Sequence, residues 1–313
     1  MANVMVTGGA GFIGSNLTER LVALGHSVRV FDNLSSGHRE NLAPVVDQID
    51  FFEGDIRHPE ECLRATKDME VVFHQAAMPS VPRSVEQPLE SHETNITGTL
   101  NVLMAAKAQG CRRVVYAASS SAYGDTEVTP KHEDLTPLPM SPYAVQKLAA
   151  EHYFKVFYDC YGLQTVSLRY FNVFGPRQDP NSQYAAVIAA FATAALTGRV
   201  ALVYGDGEQT RDFTYIDNVL DANIAAMDAP ETRGEVVNIA CGGGISVNEV
   251  LRCLERILNC RIEVRHEPMR AGDVLHSTAD ITQARKLFGY SPKVDFETGL
   301  RRAIEAYRVE SAG

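Results

Sequence analysis

The sequence predicts an α/β fold, a doubly wound parallel sheet followed by a smaller α/β unit. Three observations carry that expectation. Short apolar runs alternate with amphipathic stretches from residue 3 to residue 170, the rhythm of strand and helix in turn. A glycine cluster, Gly8, Gly9, Gly11 and Gly14, separates the first apolar run from the first amphipathic one. After residue 170 the rhythm breaks into "FNVFGPRQDPNSQ", which is rich in turn formers.

The elements follow in order. Strands are expected at 3–7, 27–32, 49–53, 70–74, 113–118 and 164–170, with helices at 12–25, 59–66, 84–109 and 142–161. The last two helices carry apolar residues on more than one side, which suits one face to the sheet and another to a partner subunit. Beyond 170, an apolar helix at 184–197 leads to the strand "VALVY", the loop "GDGEQTRD", a helix at 216–228 and a buried strand at 235–240. Helices near 246–258, 281–288 and 296–308 close the chain. The expected division is one domain from 1–170, rejoined by about 213–240, and a second from 171–212 and 241–313.

At 313 residues, 45% hydrophobic and 22% charged, the chain has the composition of a globular protein with ample core. A net charge of −10 argues against an extended nucleic-acid surface but leaves room for a small anion held by local arginines. No apolar run approaches the roughly 20 residues of a membrane helix. The start "MANVMVTGG" lacks a basic region followed by an apolar stretch, so a cytoplasmic location is expected. The six cysteines form no CxxC or zinc spacing and should be reduced thiols, and the nine histidines form no metal cluster.

The opening "VMVTGGAGFIGSNLTERLVALGHSVRVFDN" runs a buried strand into Gly9-x-Gly11-x-x-Gly14, with Gly8 just before, and then into a helix. That is the Rossmann-type dinucleotide fingerprint in its strand–turn–helix context: the glycines allow a tight turn, close approach of backbone amides to a pyrophosphate, and close packing of helix on strand. The helix N-terminus supplies free N–H groups and the positive end of a dipole. Asp32 ends the second strand, where a carboxylate accepts both ribose hydroxyls and repels a 2′-phosphate. With no basic residue following in "DNLSSG", NAD is expected over NADP. Asp55, after the third strand, is placed to contact the adenine. The small residues Ala76 and Ala77 of "HQAA" end the fourth strand where a cofactor lies close, and His74 reads as a packed strand residue.

The fifth strand ends in Ser119, Ser120 and Ser121, at the sheet edge where ligands of open α/β proteins bind. One loop later comes "SPYAVQK", residues 141 to 147. Ser141 can cap a helix and Pro142 suits its first position. Tyr143 and Lys147 then share one face. A neighbouring ammonium favours the phenolate, so hydroxyl, phenol and ammonium can converge as a general base beside a nicotinamide.

With these motifs in place, the chain resembles the extended short-chain dehydrogenases/reductases, and within them the nucleotide-sugar 4-epimerases. The resemblance runs through "TGGAGFIG", "DNLSSG", "GDIR", "NITGT", "SSSAYG", "SPYAVQK", "RYFNVFGPRQDP", "DGEQTRDF" and "RAGDVLHSTAD", nearly the whole chain. "PRQDPNSQYAAVI" and "RAGDVLHSTAD" are more similar to UDP-N-acetylglucosamine 4-epimerases than to the UDP-glucose form.

The resemblance implies Tyr143 as the base, Lys147 as its assistant and Ser119 as the hydroxyl that bonds the reacting sugar oxygen. It implies an NAD site bordered by Gly8, Gly11, Phe12, Ile13, Gly14, Asp32, Asn33, Ser35, Ser36, Gly37, Asp55, Ile56, Gln75, Ala76, Ala77, Asn95, Tyr143, Lys147 and Tyr170. For the UDP-sugar it implies Ser119, Ser120, Ser121, Tyr143, Asn172, Gln178, Val187, Tyr204, Arg211, Arg270, Asp273 and Ser277. The arginines agree with the residue-level reading, because a diphosphate on an acidic protein needs local cations. By position, Ser277 stands where UDP-glucose-restricted members carry a tyrosine, which leaves room for an N-acetyl group. Pro79 departs from the lysine that the UDP-glucose form has after its fourth strand. Ser120 and Ser121 stand where related dehydratases and decarboxylases carry acidic residues, so both readings lose ground. A UDP-glucose/UDP-galactose 4-epimerase, or one of dual specificity, stays open as the alternative. A homodimer built on the 84–109 and 142–161 helices is also implied.

Overall fold

The computed structural model describes residues 1–179, 187–268 and 275–312, with the side chains of 309–312 left aside. Six strands form in chain order: β1 (Asn3–Thr7), β2 (Ser27–Asp32), β3 (Ile49–Glu53), β4 (Val71–His74), β5 (Arg113–Ser119) and β6 (Gln164–Tyr170). With the strand Glu235–Ile239 they make a seven-stranded sheet in which β3, β2, β1, β4, β5, β6 and Glu235–Ile239 lie side by side. Every pairing is parallel. Val4 and Val6 pack into one core cluster and Met5 into another, so alternate residues of β1 serve opposite faces. Both faces are buried, which is why these strands read as continuous apolar runs.

Helices α1 (Phe12–Ala23), α2 (Pro59–Ala65), α3 (Val81–Glu86), α4 (Pro88–His92), α5 (Thr99–Ala108) and α6 (Pro142–Tyr161) lie between the sheet strands. Ser141 caps α6, its Oγ accepting from Ala144 N at 3.1 Å, and Gly162 ends it in a left-handed conformation at φ 69°. One helix expected from the sequence proved to be several elements. The stretch read as a helix over 84–109 breaks at Gln87 (φ −131°, ψ 61°), where Pro88 starts a new helix. A π-helical segment, Glu93–Gly98, then joins α4 to α5. Apolar spacing alone does not report such a bulge, because the residues on either side keep their helical period.

The remaining residues form short pieces. Thr210–Arg211 pairs with both Ile245–Ser246 and His276–Ser277, and Ala201–Tyr204 pairs with Val264–Glu267. Helices Val187–Thr197, Val247–Leu258, Thr282–Phe288 and Phe296–Ala312 accompany them. Asp212, fully buried, ties this region together by accepting from the backbone N–H groups of Cys241 (2.8 Å), Gly242 (2.9 Å) and Ala279 (3.2 Å). Burial still pushes its carboxyl up to about 6 against those bonds. Among the described residues, no helix is long and apolar enough to cross a membrane.

Candidate active site

The order in which strands are added to the sheet reverses between β1 and β4, the point where open α/β sheets bind ligands. A cavity of about 540 Å³ lies there, lined by residues that follow the carboxyl ends of β1 to β6. The glycine loop forms one wall. Gly8 turns at φ +66°, and a side chain on it would meet the backbone of Ala76 at 2.7 Å. A Cβ on Gly14 would lie 2.1 Å from the carbonyl oxygen of Gly8, so helix and loop touch backbone to backbone. Helix α1 starts beyond Gly11 with no side-chain cap, which leaves its amino end to an anion in the cavity.

Asp32 is buried at the end of β2. Its Oδ2 accepts from Ala10 N at 2.9 Å and its Oδ1 from Leu34 N at 2.8 Å. Each oxygen keeps a further lone pair for a ribose hydroxyl. Burial pushes its pKa up, and the backbone bonds counter that. The loop, the open helix end and the carboxylate together fit a dinucleotide.

Of the residues expected around NAD, Gly8, Gly11, Phe12, Ile13, Gly14, Asp32, Asn33, Ser35, Ser36, Gly37, Ile56, Gln75, Ala76, Ala77, Tyr143, Lys147 and Tyr170 line the cavity. Asp55 and Asn95 stand behind its wall. Asp55 accepts from Arg57 Nη2 at 2.7 Å and from Asn33 Nδ2 at 2.9 Å. Burial raises its pKa, but the Arg57 bonds outweigh that and bring it to about 2. Asn95, on the π-helical segment, holds the loop after β4: its Oδ1 accepts from Met78 N at 2.8 Å and its Nδ2 donates to Gln146 Oε1 at 2.8 Å. Tyr170 OH accepts from Asn223 Nδ2 at 2.8 Å and meets Gln75 at 3.3 Å.

Ser119, Tyr143 and Lys147 meet at the same cavity. Ser119 Oγ accepts from both Ser121 N (3.2 Å) and Ser121 Oγ (2.9 Å). Ser121 thus orients Ser119, and neither Ser120 nor Ser121 lines the cavity. Tyr143 N donates to Ser84 Oγ at 3.1 Å, which fixes the start of α6 against α3. Lys147 Nζ donates to Ala117 O at 2.7 Å and lies 5.9 Å from the centre of the Tyr143 ring. Burial pushes the phenol's pKa up while a hydrogen bond with Ser119 pulls it down. Burial also draws the ammonium of Lys147 down to about 7. The ammonium's expected help to the phenolate therefore competes with a dry pocket that disfavours both charged forms. His74 is a packed strand residue: its Nδ1 meets Thr7 Oγ1 at 2.8 Å and its Nε2 meets Thr99 Oγ1 at 2.9 Å.

Asn172 and Gln178 also line the cavity. Gln178 Nε2 donates to Val173 O at 3.0 Å, and Asn172 Nδ2 donates to Asp212 O at 3.2 Å. Val187, Tyr204, Arg211 and Ser277 stand outside this cavity, in the region after residue 179. Arg211 and Ser277 are paired directly across two short strands. Arg270 and Asp273 lie outside the described residues. Sequence reasoning missed Arg57, Arg83, Glu90 and Arg177 at the cavity. Arg57 was within reach, two places after Asp55 in "GDIR". Arg83 and Glu90 flank the break at Gln87 and both line the cavity.

Comparison with known proteins agrees with this geometry. The family model described as "NAD dependent epimerase/dehydratase family" matches residues 4–240. A UDP-glucose 4-epimerase of Mycolicibacterium smegmatis is 39% identical over 311 residues, covering 98% of this chain and 99% of its own. The UDP-N-acetylglucosamine 4-epimerase of Methanobrevibacter ruminantium, solved with UDP-N-acetylmuramic acid, is 40% identical with a TM-score of 0.95 and 99% of each chain covered. The UDP-glucose 4-epimerase of Thermus thermophilus, solved with NAD, is 39% identical with a TM-score of 0.90, covering 98% of this chain and 99% of that one. A glycine loop, a buried carboxylate at the end of β2 and a Ser–Tyr–Lys set around one cavity, matched over three quarters of the sequence by one family, place this chain in the NAD dependent epimerase/dehydratase family.

Proposed function

We propose that this protein is an NAD-containing UDP-sugar 4-epimerase whose preferred substrates are UDP-N-acetylglucosamine and UDP-N-acetylgalactosamine. The observation that carries the epimerase reading is the convergence of Ser119, Tyr143 and Lys147 on the cavity that the glycine loop and Asp32 enclose. Held there by the glycine loop and Asp32, NAD would supply reversible hydride acceptance at C4 of the hexose. Tyr143, as phenolate, takes the proton of the C4 hydroxyl, and Ser119 hydrogen-bonds the same oxygen. Lys147 holds positive charge beneath the phenol. After the sugar turns over as a 4-keto species, Tyr143 returns the proton to the oxygen on the opposite face. No net redox follows, so the cofactor has no reason to leave.

The nucleotide is assigned to residues 171–212 and 241–313, as a second domain, with Asn172, Gln178, Val187, Tyr204, Arg211, Arg270 and Asp273 around it. Ser277 supports the N-acetylated substrate: it is buried, small and opposite Arg211. Ser277→Tyr should cut turnover of the N-acetylated sugar about ten- to a hundredfold while sparing UDP-glucose, because pocket atoms discriminate at that scale. The deciding experiment is NMR of UDP-N-acetylglucosamine and UDP-glucose incubated separately with the enzyme and no added redox partner. The 4-epimer of the first should form faster. Faster conversion of UDP-glucose would overturn the substrate, and no epimer from either would overturn the activity.

A homodimer joined by α3 to α6 completes the reading. It is supported by large apolar side chains on that side, with Leu89 80% and Val85 61% exposed.

A further inference from the structure

Tyr143, Lys147 and Glu151 stand at four-residue steps along α6 and so share one face, each a turn deeper than the last. Nothing in the reaction as derived uses Glu151, yet it is 2% exposed. Its Oε1 accepts from Arg169 Nε at 2.9 Å and its Oε2 from Arg169 Nη2 at 2.7 Å. Arg169, on β6, is itself buried and lies 4.5 Å over the ring of Tyr123. A buried ion pair of this kind gives little stability beyond what two apolar side chains would give. What it does give is a carboxylate fixed in place by a planar fork.

The surroundings of Lys147 show what that charge faces. β5 brings the carbonyl of Ala117 and the Tyr116 ring, whose centre is 4.7 Å from Nζ. β4 brings His74, whose pKa burial and the Lys147 charge pull down to about 3, leaving it neutral. α6 itself brings Tyr143 and Glu151, and β6 brings Arg169, turned onto Glu151 and Tyr123. Burial of Tyr116 and Tyr143 pushes both phenols upward. Glu151 is the anion of this set, and its charge opposes the loss of the lysine's proton that burial drives.

We propose that Glu151 is a positioning residue for the reaction: pinned by Arg169, it holds a fixed carboxylate one helical turn below Lys147 and, through the charge on that lysine, prepares Tyr143 to take the proton. This rests on the reading of Tyr143 as the base. Without Glu151 the lysine sheds its proton at lower pH, the phenol loses its cationic neighbour, and a higher pH is needed to form the phenolate.

Glu151→Gln keeps the shape and an acceptor for Arg169 and removes the charge. The acid limb of kcat against pH should move about one unit toward alkaline pH, which is about tenfold less turnover at neutral pH. KM should hold, and turnover should recover at high pH. The tyrosinate absorbance of Tyr143, assigned by difference against Tyr143→Phe, should titrate later by the same amount. Glu151→Leu/Arg169→Met replaces the pair with apolar side chains that keep the fold where a lone glutamine does not; because it removes the guanidinium with the carboxylate, it should show a smaller shift in the same direction. Either variant with an unmoved limb and an unmoved tyrosinate titration, losing activity equally at every pH, would overturn the proposal and leave Glu151 a purely structural residue. The titration needs no turnover, so failure of this proposal is told apart from failure of the epimerase reading.

Discussion

At the scale of single residues, the proposed base Tyr143 is defined by what holds it. Its backbone N–H is tied to Ser84, its hydroxyl is hydrogen-bonded with Ser119, and Ser121 steadies that serine from behind. Tyr143→Phe removes the proton acceptor and its bond with Ser119, and leaves the backbone bond to Ser84 and the Ser121–Ser119 bonds in place. Turnover should fall about 10²- to 10⁴-fold, the usual worth of a general base. Calorimetry with UDP should show nearly the parental affinity. Turnover within tenfold of the parent would mean that another group takes the proton.

At the scale of elements, the proposed NAD site depends on the turn from β1 to α1. Gly14 lets the first turn of α1 rest on the carbonyl of Gly8, and the 2.1 Å gap that a methyl group would meet there is to backbone, which cannot rotate away. Gly14→Ala should therefore push α1 off the loop, at a cost of about 1–3 kcal/mol for the added carbon. The melting temperature and the NAD recovered from denatured protein should both fall. A variant with full NAD content would show that the loop yields without losing its amides. The break at Gln87 is a second feature at this scale: Arg83 before it and Glu90 after it form an ion pair at 3.3 Å, and both line the cavity.

For the whole molecule, the proposed dimer surface is the exposed apolar side chains of α3 to α6. Met104, Val145 and Val156 are each about half exposed there, beyond Val85 and Leu89. A two-fold pairing would bury this side against its own copy. Light scattering at micromolar concentration should report a dimer, and Leu89→Glu should give a monomer with its helical signal intact. A parent chain that already runs as a monomer would remove the dimer from the account.

The sequence by itself determined the parallel sheet and the local motifs that line the cavity, because both are written locally. Period and apolar runs set the strands, glycines set the β1–α1 turn, and Ser141 with Pro142 set the start of α6. Tertiary structure decided whatever depends on a partner far along the chain. Asp55 was legible as an acid after a strand, but its binding to Arg57 and Asn33, and so its place behind the cavity wall, was not. Asn95 read as one more cofactor residue and was found holding Met78 through the π-helical segment. Glu151 read as an unremarked helix position until β6 delivered Arg169 to it. In each case the side chain's role is set by a field or a hydrogen bond that exists only once the strands lie side by side, because burial multiplies such interactions and no pattern in sequence spacing records burial.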